Sequence, residues 1–217
     1  HNIKQVVALS TDKASSPVNL YGATKLASDK MFSASSSYSG AHLTKFANVR
    51  YGNVMGSRGS VIPFFITQRG KGTLPITDER MTRFMITVEE GVKLVWKAFD
   101  DMEGGETYIK KTPSMKVTDI ARAIAPDARH QIVGIRPGEK LHEQMISQED
   151  SYYTYEYDGY YKIMPVFQEW AGYKNRIKGG KKVEEGFSYT SDNNPEWMSI
   201  EILQERIEKN RDNIGNI

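Results

Sequence analysis

The chain has 217 residues, a formal net charge of +2 from 29 basic and 27 acidic side chains, and no cysteine. This length allows one substantial core and a small second lobe. The lack of cysteine excludes a disulfide scaffold, a thiolate metal site and a cysteine nucleophile. No apolar run is long enough to span a membrane, and the first residues lack a signal-peptide pattern. We therefore expect a cytoplasmic protein that has no membrane partner.

Strand and helix patterns alternate along the first half of the chain. The predicted strands cover residues 6–9, 43–51, 74–76, 107–109 and 131–135, and the predicted helices cover 19–37, 61–69, 88–102, 116–125, 140–146 and 195–209, the last with Asn194 as its cap. This alternation predicts an α/β fold with a doubly wound, mainly parallel sheet. Because the chain opens on an apolar run typical of a buried strand, Val6–Leu9, we expect the front of such a fold to be missing.

The sequence changes character after about residue 150. Six of the 12 tyrosines lie between Tyr152 and Tyr161, in a pattern typical of an antiparallel strand pair at a surface. A platform for bases or sugars is the alternative interpretation. The densest basic stretch, Lys174–Lys182, is interrupted by two glycines, so it is interpreted as a solvated loop and not as a nucleic-acid site.

Tyr21 and Lys25 are the first candidate catalytic pair. They lie four residues apart in a predicted helix, so both side chains emerge from one face. An ammonium beside a phenol stabilises the phenolate, which can then remove a hydroxyl proton while a nicotinamide accepts a hydride from the same carbon. The spacing alone also fits an incidental surface pair. The preceding strand, which ends in Ser10-Thr11, and the later glycine loop favour the catalytic interpretation.

Asp12 and Lys13 form a second candidate pair, just past the predicted first strand. Open α/β sheets bind their ligands at the carboxyl ends of their strands. An acid beside a base suits the loss of water next to a carbonyl, and the alternative is an exposed ion pair in a turn. Two further residues have structural interpretations: Arg83 pairs with Asp78 or Glu89, and His142 is a surface or supporting residue.

Several ordered motifs resemble one family. They are S-T-D-K-A from Ser10, N-L-Y-G-A-T-K from Asn19, R-Y-G-N-V from Arg50, G-S-R-G-S-V-I-P-F-F from Gly56, M-T-R-F from Met81 and R-P-G-E-K-L-H-E from Arg136. Together they are similar to the extended short-chain dehydrogenase/reductases, and among these to the inverting UDP-N-acetylglucosamine 4,6-dehydratases of pseudaminic acid biosynthesis. The resemblance runs from Val6 to about Trp197.

The resemblance implies a role for each matching position. Tyr21 and Lys25 match the catalytic tyrosine and lysine, and Asp12 and Lys13 match the dehydratase pair. The residues that match NADP contacts are Leu9, Ser10, Tyr21, Lys25, Val54, Met55, Gly56, Ser57 and Arg58. Those that match contacts to the UDP-sugar are Asn53, Val61, Thr77, Arg136 and Glu139. The family also implies a homo-oligomer and a role in flagellin glycosylation, and no metal is expected.

The dinucleotide-binding fingerprint G-x-G-x-x-G is absent from the sequence. The glycine loop from Gly52 to Gly59 fits neither that fingerprint nor a P-loop. We therefore expect residues 1–60 to form the end of an NADP-binding Rossmann domain. Residues 61–217 would mainly form a substrate lobe, with some segments returning to the Rossmann sheet, and such a fragment would be inactive alone.

Two other functions stay open on the sequence. A sugar-nucleotide epimerase of the same superfamily would keep the tyrosine and lysine, but it would have no use for Asp12-Lys13 as an acid at C6. A cofactor-free binding or oligomerisation module is the alternative outside enzymes, if 217 residues is the natural chain.

Overall fold

The structure is a computed structural model that describes residues 2–38, 44–166 and 173–210. The chain divides into two compact units. The first unit comprises His1–Tyr51, Glu89–Lys111 and Gln144–Tyr189, and the second comprises Gly52–Val88, Thr112–Glu143 and Thr190–Ile217. Assigning a cofactor role or a substrate role to either unit stays a prediction.

Strands and helices alternate as an α/β fold requires. The strands are β1 (Gln5–Thr11), β2 (Lys45–Tyr51), β3 (Asn53–Val54), β4 (Thr73–Ile76), β5 (Thr82–Ile86), β6 (Thr107–Lys110), β7 (Ser114–Lys116), β8 (Arg129–Ile132), β9 (Gln144–Ile146), β10 (Thr154–Tyr157), β11 (Tyr160–Ile163), β12 (Lys181–Lys182) and β13 (Tyr189–Thr190). The helices are α1 (Leu20–Tyr38), α2 (Val61–Gln68), α3 (Val88–Asp101), α4 (Val117–Ile124), α5 (Tyr173–Ile177) and α6 (Ile200–Lys209).

The first unit is built on a six-stranded sheet in the order β1-β2-β6-β11-β10-β12. β1, β2 and β6 run parallel, and the register aligns Ser10 with Arg50 and Thr11 with Tyr51. From β6 onward the sheet continues antiparallel through β11, β10 and β12. β1 is therefore one edge of the sheet, and the candidate residues Asp12 and Lys13 directly follow it. The tyrosine-rich hairpin of β10 and β11 extends the sheet beyond β6.

The core of the first unit lies between its sheet and α3. Ala47 and Val49 on β2 pack with Leu94, Ala98 and Met102 and with the ring of Tyr108, all of them buried. Small side chains on β2 and α3 allow the helix to approach the sheet closely, so that the Tyr108 ring fills the remaining space.

A buried ionic cluster closes one end of this core. Lys162 on β11 is 1% exposed, and its ammonium donates to Asp101 Oδ2 at 2.8 Å. The Tyr108 hydroxyl donates to the same oxygen at 2.8 Å. Burial, the largest single effect, raises the pKa of Asp101, but these two hydrogen bonds and the charges of Lys162 and Lys178 together outweigh it and hold the pKa below its ordinary value.

The second unit contains two small sheets. β3 and β5 pair in parallel and β5 pairs with β7 antiparallel, while β4 and β8 form a separate parallel pair. α2, α4 and α6 supply one apolar core with these strands, centred on buried side chains such as Phe65, Leu74, Met115 and Ile120. The unit therefore has a core of its own.

The α/β class and most of the predicted elements are confirmed. The helices predicted at 19–37, 61–69, 88–102 and 116–125 are present, with ends that differ by a few residues. The antiparallel pair predicted around Tyr152–Tyr161 is β10 with β11. Short strands such as β5 and β7 were not predicted, because runs of five residues or fewer carry little periodicity. Residue 43, the start of the strand predicted over 43–51, lies outside the described residues.

The helix predicted over residues 140–146 is wrong. Residues 144–146 form strand β9, and the segment before them has no regular structure. The carbonyls of Lys140 and Leu141 accept hydrogen bonds from the Arg83 guanidinium, each at 3.2 Å, and Leu141 also accepts from Thr82 N. These tertiary hydrogen bonds use the carbonyl groups that a helix would need for its own ladder.

The last helix begins five residues later than predicted. α6 starts at Ile200, and the Ser199 hydroxyl caps it by accepting from Ile202 N at 3.3 Å. Asn194, the predicted cap, instead donates to Thr112 O at 2.8 Å and to Ser114 Oγ at 2.9 Å. The tertiary partners of Asn194 hold it away from the helix, so Ser199 caps the helix instead.

Two expectations of burial also differ from the structure. β1 is parallel as predicted, but most of it is half-buried and Leu9 is 55% exposed. The basic stretch at 174–182, interpreted as a solvated loop, includes part of α5, where the Arg176 side chain is 10% exposed and pairs with Glu106 at 2.6 Å.

None of the helices within the described residues is long and apolar enough to cross a membrane.

Candidate active site

β1 ends in a single turn of 3-10 helix, Asp12–Ala14, which carries the first candidate pair. The Thr11 hydroxyl donates to Asp12 Oδ1 at 2.9 Å, and the Lys13 ammonium lies 3.1 Å from the same oxygen. The Asp12 side chain is fully buried, whereas that of Lys13 is 37% exposed. The buried carboxylate therefore holds an ammonium group that solvent, or a ligand, can reach.

Tyr21 and Lys25 lie in the first turns of α1. The Asn19 side chain accepts from Gly22 N at 2.8 Å and so caps the start of this helix. Tyr21 is 54% exposed and Lys25 is partly exposed. Because the two residues are four apart in a regular helix, their side chains share one face, as the sequence predicted.

Gly22 brings the two candidate pairs together. A Cβ on this residue would lie 2.5 Å from the carbonyl oxygen of Lys13 and 2.9 Å from Cβ of Pro17. α1 therefore approaches the Asp12–Ala14 turn as closely as backbone atoms permit, which no larger residue would allow. The structure places the turn with Asp12 and Lys13 directly against the helix turn with Tyr21.

We expect Gly22→Ala to destabilise the first unit, although alanine is the better helix former. The helix gains about 1 kcal/mol from alanine, but a backbone oxygen 2.5 Å from the added Cβ leaves no room for it. Overpacking of this kind costs about 1–3 kcal/mol, so we expect a net loss of up to about 2 kcal/mol. The measurement is chemical denaturation of both proteins at equal concentration.

The matched control is Gly91→Ala in α3, where the added Cβ meets no atom within 4 Å. This change is expected to stabilise the protein by up to about 1 kcal/mol. If both alanine variants shift stability in the same direction, the close approach at Gly22 is not what selects glycine there.

Tyr51 is a residue of this region that the sequence did not single out. It is the last residue of β2 and lies opposite Thr11 in the parallel register. Burial raises the pKa of its phenol, and the nearby Tyr21 phenol adds to that rise. The signal that points to Tyr51 is its place at the carboxyl end of the neighbouring parallel strand.

Leu9 and Ser10 lie near the end of β1, which Thr11 completes. Leu9 is largely exposed, whereas Ser10 is 4% exposed and its hydroxyl has no hydrogen-bond partner among the residues that the structure describes. A buried hydroxyl without a partner costs free energy, so it marks a place where a polar group of a ligand would be stabilised.

The remaining predicted contacts lie in the second unit. Asn53 begins β3, and its Oδ1 atom is buried with no partner within the described part of the chain. Residues 54–58 then turn: Met55 N donates to Ile86 O at 2.8 Å and Ser57 N to Val54 O at 3.2 Å. The side chain of Met55 is buried in the core, whereas Ser57 and Arg58 are exposed. Gly56 has a φ of 79°, so the turn needs glycine there.

The other predicted substrate residues occupy three different elements. Val61 is the first residue of α2 and Thr77 directly follows β4. Arg136 is exposed in a turn where its carbonyl accepts from Glu139 N at 3.1 Å and its own N–H donates to the Glu139 carboxylate at 3.3 Å. The structure therefore brings Arg136 and Glu139 together within one turn.

Arg83 has a structural role, but its predicted partners are wrong. Asp78 pairs with Arg80 at 2.8 Å and Glu89 with Lys93 at 2.7 Å. The Nε atom of Arg83 lies 3.7 Å from Glu143 Oε1, and its other nitrogens donate to main-chain carbonyls.

Within the described ranges, no group of three acidic, histidine or cysteine side chains is placed to hold a metal ion.

Comparison with known proteins supports the motifs. Residues 1–165 match the family described as polysaccharide biosynthesis protein. The chain belongs to this family.

Two similar proteins are inverting UDP-N-acetylglucosamine 4,6-dehydratases from Campylobacter jejuni. The one from strain 81-176 is 56% identical over 210 residues, which are 94% of this chain and 63% of that protein. The other, of serotype O:2, is 54% identical over 215 residues, which are 95% of this chain and 64% of that protein. The predicted resemblance is therefore confirmed.

A solved structure also resembles this polysaccharide biosynthesis protein. The X-ray structure of Pen from Bacillus thuringiensis matches with a TM-score of 0.83 and 31% identity, over 97% of this chain and 63% of that one. The chain thus spans slightly less than two thirds of the length of the proteins it matches.

Proposed function

We propose that this protein is an inverting, NADP-dependent UDP-N-acetylglucosamine 4,6-dehydratase. The observation that carries the proposal is the contact of Gly22 with the carbonyl of Lys13, which sets the Asp12–Lys13 pair beside the Tyr21–Lys25 pair. A dehydratase needs both pairs in one place, because protons must be moved at three neighbouring positions of one sugar: the C4 hydroxyl, C5 and the C6 hydroxyl. The 56% identity with a protein of that name supports the same activity.

The first unit has residues that fit a nicotinamide cofactor. The buried Ser10 hydroxyl, without a partner among the described residues, suits an amide group of a ligand. Leu9, Tyr21 and Lys25 complete the contacts that we propose in this unit, and residues Val54, Met55, Gly56, Ser57 and Arg58 those in the second. When bound, NADP would accept a hydride from C4 of the sugar and return it to C6.

In this proposal the Tyr21 phenolate, which the Lys25 ammonium stabilises, takes the proton of the C4 hydroxyl and becomes a neutral phenol. The C4 ketone that forms makes the hydrogen on C5 acidic. Loss of the C5 proton, with breakage of the C6–O bond, then gives an enone and one molecule of water. The proton that the leaving hydroxyl needs comes from the Asp12–Lys13 pair, whose hydrogen bond at 3.1 Å allows transfer between the two groups.

Reprotonation of C5 from the opposite face inverts that carbon. Lys13 and Tyr21 are the candidate groups for the two C5 proton transfers. Lys13, left neutral when its proton passes to Asp12, takes the first C5 proton, while Asp12 gives its proton to the leaving hydroxyl. Tyr21, which holds the proton taken from the C4 hydroxyl, then reprotonates C5. No metal takes part in the proposed reaction.

We assign the UDP-sugar to Asn53, Val61, Thr77, Arg136 and Glu139. The exposed Arg136 guanidinium suits the diphosphate, because its planar set of donors matches phosphate oxygens. The proposal also includes a homo-oligomer, a cytoplasmic location, and a first step in pseudaminic acid synthesis for flagellin glycosylation. The resemblance to the family supports the oligomer and the pathway, and the lack of a long apolar run or a signal-peptide pattern supports the location.

The test is incubation of the complete protein with UDP-N-acetylglucosamine and NADP in heavy water, followed by NMR of the sugar. The expected product is a 4-keto sugar with a methyl group at C6 and deuterium at an inverted C5. A product that keeps its C6 hydroxyl and is changed only at C4 or C2 would identify an epimerase.

The non-enzymatic alternative is distinguished by a spectrum of the purified protein. After addition of a chemical reductant, a bound nicotinamide cofactor absorbs in the near ultraviolet. A module for binding or oligomerisation would show neither this absorbance nor turnover.

A further inference from the structure

A polar cluster around His142 in the second unit has no assigned role. His142 Nδ1 lies 2.8 Å from the hydroxyl of Thr82, which lies 2.6 Å from the hydroxyl of Ser191. Ser191 Oγ in turn accepts from Glu143 N at 2.9 Å. Thr82 and Ser191 are 2% and 0% exposed, so this chain of hydrogen bonds is buried on one side of the imidazole. The cluster therefore connects β5 to the segment that contains His142.

The other side of the imidazole faces an acidic side chain. His142 Nε2 lies 3.9 Å from Asp192 Oδ2, and the side chains of these two residues are 29% and 45% exposed. Both ring nitrogens thus have polar neighbours, Thr82 on β5 and Asp192 after β13. The ring connects two parts of the second unit that are far apart in sequence.

Arg83 binds the main chain just before His142. Its guanidinium donates to the carbonyls of Lys140 and Leu141, each at 3.2 Å, and lies 3.7 Å from the Glu143 carboxylate. Thr82 N also donates to Leu141 O at 3.2 Å. We call residues 136–143 the 136–143 loop. Its second half is fixed to β5 by these contacts, although it forms neither helix nor strand.

The first half of the 136–143 loop has a different set of contacts. The turn formed by Arg136 and Glu139 closes on itself through their mutual hydrogen bonds, and Gly138 within it has a φ of 81°. Arg136 is exposed and, among the described residues, has no hydrogen-bond partner outside the turn. The position of the turn therefore depends on its two flanks, which are anchored by Val133 N donating to Ile76 O on one side and by residues 140–143 on the other.

We propose that His142 is a positioning residue that sets the Arg136–Glu139 turn for binding of a UDP-sugar. This inference rests on the proposed function for its ligand, and on the contacts of His142 for its mechanism. Arg83 and Thr82 N fix the main chain of the loop, and the imidazole fixes its end between β5 and Asp192. His142 acts through Arg136 and does not touch the sugar, which distinguishes it from Lys13 and Tyr21.

The test combines kinetics with hydrogen exchange on the complete protein. In His142→Ala we expect KM for UDP-N-acetylglucosamine and Kd for UDP to rise about tenfold, the effect of one lost hydrogen bond of about 1.4 kcal/mol. We expect kcat to change less than about twofold, since no group at the reacting atoms is removed. Exchange of the amides in residues 136–143 should accelerate.

Two further variants separate positioning from general damage. His142→Asn retains a polar group in place of Nδ1 and should restore most of the affinity for UDP, even if the alanine variant folds poorly. His130→Ala replaces a partly exposed histidine on β8 of the same unit and should leave KM, Kd and exchange of the 136–143 loop unchanged.

The outcomes distinguish this inference from the proposed function. If the unaltered protein binds UDP but His142→Ala binds it equally well, with unchanged exchange, the inference is wrong and the proposed function stands. A loss in kcat with unchanged KM would also overturn it, since that result would place His142 at the chemistry. If the unaltered protein does not bind UDP, the proposed function and the ligand in this inference both fail.

Discussion

Changing Tyr21 to phenylalanine is expected to lower kcat for UDP-N-acetylglucosamine by about a hundredfold to ten-thousandfold, the usual contribution of a general acid or base. The phenol is 54% exposed on the first turn of α1, so its removal leaves no cavity. The proposed reaction cannot start without a group that accepts the C4 hydroxyl proton. Turnover is measured by NMR of the C6 methyl group, and affinity for UDP by calorimetry.

Tyr152→Phe is the matched control for this prediction. Tyr152 is similarly exposed at 51%, and its hydroxyl donates to Glu185 at 3.0 Å on the surface. We expect its kcat to remain within about twofold, because this exposed hydrogen bond takes no part in the proposed chemistry. A Tyr21→Phe protein that retains more than about a tenth of the turnover would remove Tyr21 from the proposed chemistry.

Replacing Asp101 by alanine is expected to produce the largest loss of stability, about 3–5 kcal/mol. The carboxylate accepts from the Lys162 ammonium and the Tyr108 hydroxyl, both at 2.8 Å, and also lies 3.5 Å from the Lys178 ammonium. Lys162 is 1% exposed, so the variant would leave an ammonium group buried without its counter-charge. The free energy of unfolding, measured in urea, tests the prediction.

The control comes from the same helix. Glu89→Ala removes the partner of Lys93, but both side chains are more than 70% exposed. Such surface pairs contribute less than about 1 kcal/mol, so this variant should unfold almost like the unaltered protein. An equal, small effect in both variants would mean that water reaches Lys162 in the folded protein.

The Asp101 cluster also gives stability a defined dependence on pH. Because the pKa of Asp101 is lower in the folded protein than in the unfolded chain, its contribution is complete above the ordinary carboxyl range. It is lost as pH falls through the lowered value. The difference in stability between the unaltered protein and Asp101→Ala should therefore shrink as the urea titrations are repeated at increasingly acidic pH.

The sequence predicted the elements that have a strong period of their own. The apolar spacing in α1 and α3 and the apolar run of β1 gave the α/β class, and the spacing of Tyr21 and Lys25 placed both on one helix face. Motif resemblance then indicated the family, which the match of residues 1–165 confirmed. Both kinds of prediction use information that lies within a few residues along the chain.

Other features depended on partners far away in sequence. Residues 140–146 have a helical pattern, but Arg83 and Thr82 bind the carbonyl groups that a helix would use. Arg83 pairs with Glu143, not with the acids near it in sequence, and Ser199 caps α6 because Asn194 is held by Thr112 and Ser114. In each case a tertiary hydrogen bond outweighs a weak local preference.

The sequence alone thus determined the α/β class, the family and the identity of the candidate catalytic residues, because these follow from local patterns and ordered motifs. The tertiary structure decided that Gly22 sets α1 against the Lys13 carbonyl, that Asp12 is buried while Lys13 is exposed, and that His142 connects the 136–143 loop to β5. The physical reason is that burial and close backbone approach arise from residues distant in sequence, whose contacts form only when the chain folds.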